Sequence, residues 1–154
     1  MPRLRRGSAQ WLTAVLLLTT AACSSGGDEK QLDFGKVKVC EVLTRSQLLD
    51  YGVNRVTQEA QNEGPDKSFS RCVWQSAPSS DIYLLAVSFD STRDNTWIGE
   101  KNKTEPVSGH RASLTTGMLW VATGPETGVL GIEGTKVKKP IREIGEAVVQ
   151  RLQN

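Results

Sequence analysis

Histidine is nearly missing from this chain: its 154 residues contain one, His110, and only three cysteines, Cys23, Cys40 and Cys72. A zinc site draws its ligands from clusters of those two residue types at fixed spacing, and a calcium loop needs an Asp-x-Asp-x-Asp-Gly run. Neither pattern occurs, so no metal and no cofactor is expected. No Gly-x-Ser-x-Gly elbow presents a nucleophile, which leaves His110 in Ser108-Gly109-His110-Arg111 as a surface turn residue rather than a catalytic base. Gly128, Gly131 and Gly134 recur every third residue, but no helix follows them directly, as a phosphate-cradling loop requires. They read as turn and strand-edge glycines.

Long apolar runs are also scarce. The main apolar stretch, Trp11 to Ala22, is uncharged and has twelve residues. As a helix it would rise about 18 Å, short of the roughly 30 Å hydrocarbon core of a bilayer. Arg3, Arg5 and Arg6 precede it without an acid, and Thr20-Ala21-Ala22-Cys23 closes it. This is the build of an export signal spanning residues 1–22. A cysteine directly after two small residues further points to a bacterial lipobox, in which the Cys23 thiol takes a diacylglyceryl group before cleavage. Arg5-Arg6 is followed by Gly7 and Ser8, which does not fit the twin-arginine pattern. Two or more acyl chains at about 0.8 kcal/mol per buried methylene hold a protein firmly on a membrane. The expected location is the outer face of the cytoplasmic membrane, extracytoplasmic and lipid-anchored.

Charge of one sign is lacking once the signal is removed. The whole chain carries +2, but three of its nineteen basic residues lie in the signal, leaving sixteen against seventeen acids. A nucleic-acid partner, which needs a clustered basic excess, is not expected. The 132 residues left of 154 suffice for one core. Ser24 to Gln31 has nothing apolar to bury, so residues 23–33 are expected to form a flexible tether and 34–154 a single globular domain. With Cys23 lipidated, Cys40 and Cys72 remain as an even pair in an oxidising compartment and are expected to form a disulfide.

Within the domain, Cys40 to Tyr51 has helix signals: Thr44 and Gln47 form a capping box, Leu48 and Leu49 an apolar face, and Gly52 suits the C′ position. Asn54 to Asp66 is polar and reads as an exposed loop. Ser68 to Gln75 and Ile82 to Phe89 read as strands, the second apolar on both faces and hence central. Asp94 to Lys101 reads as a short helix. Arg111 to Leu114, Met118 to Thr123 and Val129 to Glu133 read as further strands. The final helix starts at Pro140 and repeats Ile141, Ile144, Val148 and Leu152 at spacings of three and four. The predicted fold is α+β, an antiparallel sheet of about five strands covered by N-terminal and C-terminal helices.

Three motifs together resemble a group of actinobacterial lipoproteins of unknown function: Cys40-Glu41-Val42-Leu43-Thr44 with Leu48, Leu49 and Gly52, then Arg71-Cys72-Val73-Trp74, then Gly109-His110-Arg111-Ala112. Lys38-Val39 stands where that group shows Asp-Pro, and its second cysteine pair is replaced by Met118 to Trp120 and Lys139-Pro140-Ile141. The resemblance implies an envelope domain similar in shape to PsbP-like folds, and it transfers no catalytic residue.

Trp74 is expected in the core, whereas Trp97 and Ile98, in a polar segment, are candidate partner-binding residues together with the Asn54 to Asp66 loop. The expected function is a non-enzymatic binding or accessory module for an envelope protein or an apolar ligand. The alternative is a small cell-envelope hydrolase using His110 or a pair of acids.

Overall fold

The computed structural model describes residues 31–35, 37–53, 59–63, 68–76, 84–100 and 104–154; the expected export signal and Cys23 lie outside them. The chain is α+β and mostly sheet. A short 3-10 turn, Val39–Glu41, leads into helix α1, Arg45–Asp50, followed by strands β1 to β6 and helix α2, Ile141–Gln153. The strands are Glu59–Glu63, Phe69–Gln75, Leu84–Asp94, Ala112–Thr115, Met118–Ala122 and Thr127–Thr135. They form one antiparallel sheet in the order β1-β2-β3-β6-β5-β4.

The two central strands, β3 and β6, each bury consecutive residues, Leu85 to Val87 and Gly128 to Ile132, as two-sided burial demands. Their register sets Cys72, Val87, Ile132 and Leu119 side by side across four strands. That row belongs to the main core, joined by Trp74, Leu85, Phe89, Val121 and Leu130. Helix α2 buries Ile144, Val148, Val149 and Leu152 in the same core. Gly145 makes this possible, because a Cβ there would run into Leu119 and come within 3.4 Å of Ile132.

The N-terminal end of the core is closed by Leu32, Val39, Val42, Leu43 and Leu48. The chain enters the core at Leu32, inside the expected tether: it is 4% exposed and its N–H donates to the Thr123 carbonyl at 2.9 Å. Phe34 stacks on Phe89 with ring centroids 4.4 Å apart. The Cys40–Cys72 disulfide fastens this segment to β2 across 32 residues of sequence.

Helix α1 is shorter than the expected Cys40 to Tyr51. The Thr44–Gln47 capping box starts it, with the Thr44 N–H donating to Gln47 Oε1 at 2.8 Å, so Cys40 falls in the preceding 3-10 turn. Leu48 is buried, while Leu49 is 46% exposed, because a six-residue helix turns only one narrow face to the core. Three further differences arise where polar sequence hides regular backbone. Glu59–Glu63 in the expected loop is an edge strand, making the sheet six-stranded; its pairing is a backbone ladder with β2 and leaves no apolar alternation. Residues 54–58 and 64–66 of that loop lie outside the described residues. Strand β3 continues through Ser91 and Thr92 to Asp94, and residues 96–100 form turns where a short helix was expected.

His110 is buried, not a surface turn residue: it is 2% exposed. Ser108 and Gly109, with φ of 49° and 87°, form the tip of a tight turn closed by the Val107–His110 bridge. Two central residues at positive φ match a type I′ turn. The turn tip projects outward and His110 turns back under it, its Nε2 3.2 Å from Gln153 Nε2 on α2.

Candidate functional site

The sheet face opposite α2 carries the alternate residues of each strand. One row reads Arg71, Ser88, Gly131 and Trp120, and the next Val73, Ala86, Glu133 and Met118. Ser88, Gly131 and Ala86 keep most of the middle of these rows low, with Glu133 the one long side chain there, while Arg71, Trp120 and Met118 stand at either side. The result is an open groove of about 250 Å³, walled by Phe69, Arg71, Arg93, Met118, Trp120 and Glu133.

Each wall is positioned by a local feature. A Cβ on Gly131 would lie 2.8 Å from the Trp120 ring and 2.7 Å from Ser88 Oγ, so only glycine lets that indole lie against the neighbouring strand. Trp97 meets Trp120 edge to face, with ring centroids 5.9 Å apart and planes at 76°. The Trp97 indole N–H donates to the Asp94 carbonyl at 2.9 Å, which fixes its own ring.

Arg93 completes the cluster, its guanidinium carbon 4.9 Å from the Trp120 centroid and 5.8 Å from that of Trp97. It reaches there because the β3–β6 register slips between Asp90 and Asp94. The slip is held by Asp90 Oδ1, which accepts from the Thr92 N–H at 3.1 Å, the Thr92 hydroxyl at 3.0 Å and the Arg93 N–H at 3.1 Å. Irregularities of this kind re-aim side chains beside functional surfaces. A cation–π contact at an exposed position is worth about 0.5–1 kcal/mol, so Arg93 rests on the rings without being locked there. Arg71 on β2 reaches over the small side chains of β3 to Glu133 on β6, Nη2 to Oε2 at 3.4 Å, both side chains more than a third exposed. Such a pair contributes about 0–1 kcal/mol and is equally open to exchange with a ligand.

The sequence-predicted candidates separate here. Trp97 is half-buried and stands beside the groove, edge-on to the Trp120 ring that walls it. Ile98 is 1% exposed, packed on Ala122 and Val129, and supports the rim from below instead of facing outward. Trp74 lies in the core at 1% exposure. Trp120, one of three tryptophans conspicuous in the domain but without an expected site role, and Arg93 join the site through the bulge and the Trp120–Gly131 pairing, neither of which leaves a short-range motif. The cross-strand pair of a tryptophan with a glycine was the signal available, once register is known.

Below the rim a polar network ties the cluster to the sheet. Asn95 is fully buried; its Nδ2 donates to the Gly124 and Gly128 carbonyls at 2.8 and 3.0 Å. Arg111 Nη2 donates to Asn95 Oδ1 and to the Pro125 carbonyl, both at 3.0 Å. Asp94 has its carboxyl held below the usual carboxylate range by the Thr96 N–H it accepts.

A larger concavity of about 1030 Å³ lies on the α2 side, between the segment from Gln31 to Glu41 and strands β2 and β3. Ser68, Ser70, Ser91 and Thr127 give it hydroxyl-rich walls beside the stacked Phe34 and Phe89. An ion pair at its edge, Lys38 to Glu41 at 3.6 Å, is strongly exposed. Among the described residues no group of three or more His, Cys, Asp and Glu side chains is placed to hold a metal ion. No described helix is long and apolar enough to cross a membrane.

No family model, curated protein or solved structure matches this chain.

Proposed function

We propose that this protein is a membrane-anchored extracytoplasmic lipoprotein, a binding module that acts by recognition and not by chemistry on its ligand. The reading starts from Arg3, Arg5 and Arg6, the short apolar run and Thr20-Ala21-Ala22-Cys23. Residues 24–31, fully extended, reach about 28 Å at most, which would keep the domain close to the bilayer surface. The motifs around Cys40, Cys72 and Gly109, which resemble those of actinobacterial envelope lipoproteins, support the same reading.

The observation that carries the binding role is the Arg93–Trp120–Trp97 cluster over the open groove. Both indoles pack in part on Ile98, Ala122 and Val129 but keep part of each ring exposed beside a guanidinium, and aromatic residues and arginine dominate the energetics of recognition surfaces. Replacement of Cys23 by Ala, followed by membrane fractionation and radiolabelled palmitate incorporation, tests the anchor. The expected result is loss of label and release of the protein from the membrane. Retention of the variant in the membrane would overturn the lipid anchor.

A further inference from the structure

We propose that the groove on the open sheet face binds neutral carbohydrate rings, with Trp120 as the stacking platform and Arg93 and Asp90 as the hydroxyl-binding pair. The inference rests on the binding-module reading above and assigns that module's ligand class. Three observations select sugar over the other ligands of an envelope.

Charge is the first. The rim carries Arg71 and Arg93 against Glu133 and Asp90, two cations and two anions, so the groove has no net charge with which to attract an anionic ligand. Four charged groups at the mouth equally oppose an acyl chain, which would strip water from them without returning a hydrogen bond. A neutral, hydroxyl-rich ring replaces that water group for group.

Backbone saturation is the second. The groove crosses β3 and β6, each hydrogen-bonded to a neighbour on both sides, so an extended peptide finds no free ladder here. Recognition must go through side chains.

Geometry supplies the third. The three hydrogen bonds that shape the bulge all go to Asp90 Oδ1, and among the described residues Oδ2 receives none. A planar guanidinium and a free carboxylate oxygen three residues apart on one bulge offer donor and acceptor to neighbouring hydroxyls of a pyranose. The guanidinium rests on the Trp120 face through a weak contact. It can therefore slide aside, exposing the indole to the C–H face of the sugar while its N–H groups turn to the hydroxyls.

The test is titration of intrinsic tryptophan emission in the full-length mature protein with N-acetylglucosamine tetramer, mannotetraose and maltotetraose, each to about 10 mM, which reveals even millimolar affinity. Galacturonic acid tetramer and palmitate are run as the anionic and apolar arms. At least one neutral tetrasaccharide should give a saturable change, and Trp120→Ala should weaken it by roughly tenfold or more. Because Trp120 also packs against Gly131, Arg93→Ala on the exposed bulge serves as a second variant; it should keep the near-ultraviolet circular dichroism and weaken the same sugar. The proposal is overturned if no neutral sugar binds the folded protein, if both variants bind as the parent does, or if the anionic or apolar arm binds instead. The last outcome would remove the sugar while leaving the binding module in place, whereas silence in every arm would count against both.

Discussion

Arg111 Nη2 donates to the side-chain oxygen of fully buried Asn95 at 3.0 Å, and this bond orients the Asn95 amide so that its Nδ2 reaches the carbonyls of Gly124 and Gly128. Two elements distant in sequence are joined by it: the turn that carries Trp97 and Ile98, and the β5–β6 loop. Asn95→Ala takes the side-chain donor from the Gly124 and Gly128 carbonyls, of which Gly128 keeps the Thr123 N–H, and one acceptor from Arg111, which keeps the Pro125 carbonyl; a buried polar group left unsatisfied costs about 1–3 kcal/mol. The variant should be destabilised by about 3 kcal/mol in urea unfolding, and its tryptophan emission should shift as the rim loosens. Asn95→Asp should be comparably harmful, since a carboxylate cannot donate to the two carbonyls.

The Cys40–Cys72 bridge closes a loop of 32 residues, for which the chain-entropy model gives about 3–4 kcal/mol. Cys72 is fully buried and Cys40 half-buried. The double variant Cys40→Ala with Cys72→Ala should therefore lose that amount in denaturant unfolding at neutral pH. The Phe34–Phe89 stack lies on the segment the bridge fastens, so amide exchange should rise first over residues 32–43.

Tyr51 provides a pH signature. Burial first, then the nearby Glu143 and Asp50 carboxylates, raises its pKa above the ordinary value near 10, against a smaller lowering by Lys139. Lys139 is itself raised, first by its hydrogen bond to Glu143 and then by the charges of Glu143 and Asp50. Both groups titrate higher in the folded chain than in the unfolded one. Their stabilising effect is thus complete below about pH 10 and is lost as pH rises past that point. The thermal midpoint should be flat from pH 7 to 9 and fall above about pH 10. In a Tyr83→Phe background, tyrosinate absorbance should appear later than in the unfolded chain.

Gly145 tests the docking of α2. Alanine would ordinarily favour an interior helix position by about 1 kcal/mol. Here its Cβ meets Leu119, and overpacking of a full core costs about 1–3 kcal/mol. Gly145→Ala should therefore destabilise the fold despite its better helix propensity, as thermal unfolding would show.

Apolar periodicity and short-range caps made much of this fold legible. The Thr44–Gln47 box, the two-sided β3 and the Ile144–Val148–Leu152 stripe each announce an element within a few residues. Where polar side chains cover regular backbone, that signal vanishes, so Glu59–Glu63 reads as loop and Asp90 to Asp94 hides the end of β3. The candidate site was less legible for a related reason. Trp97 stood out as an aromatic in a polar segment, but Trp120 and Arg93 acquire their roles only from cross-strand register and from the Asp90 bulge. His110 was misread because the sequence shows its turn and not the helix end, at Gln153, against which that turn folds.

Native mass spectrometry of the protein gently extracted from its own membrane would show both the lipid anchor and a ligand held on the open face. The expected species begins at Cys23, carries a diacylglyceryl modification there, and bears a stoichiometric adduct that Arg93→Ala diminishes. An unprocessed chain that retains residues 1–22, or a mature chain at its own bare mass, would contradict that expectation.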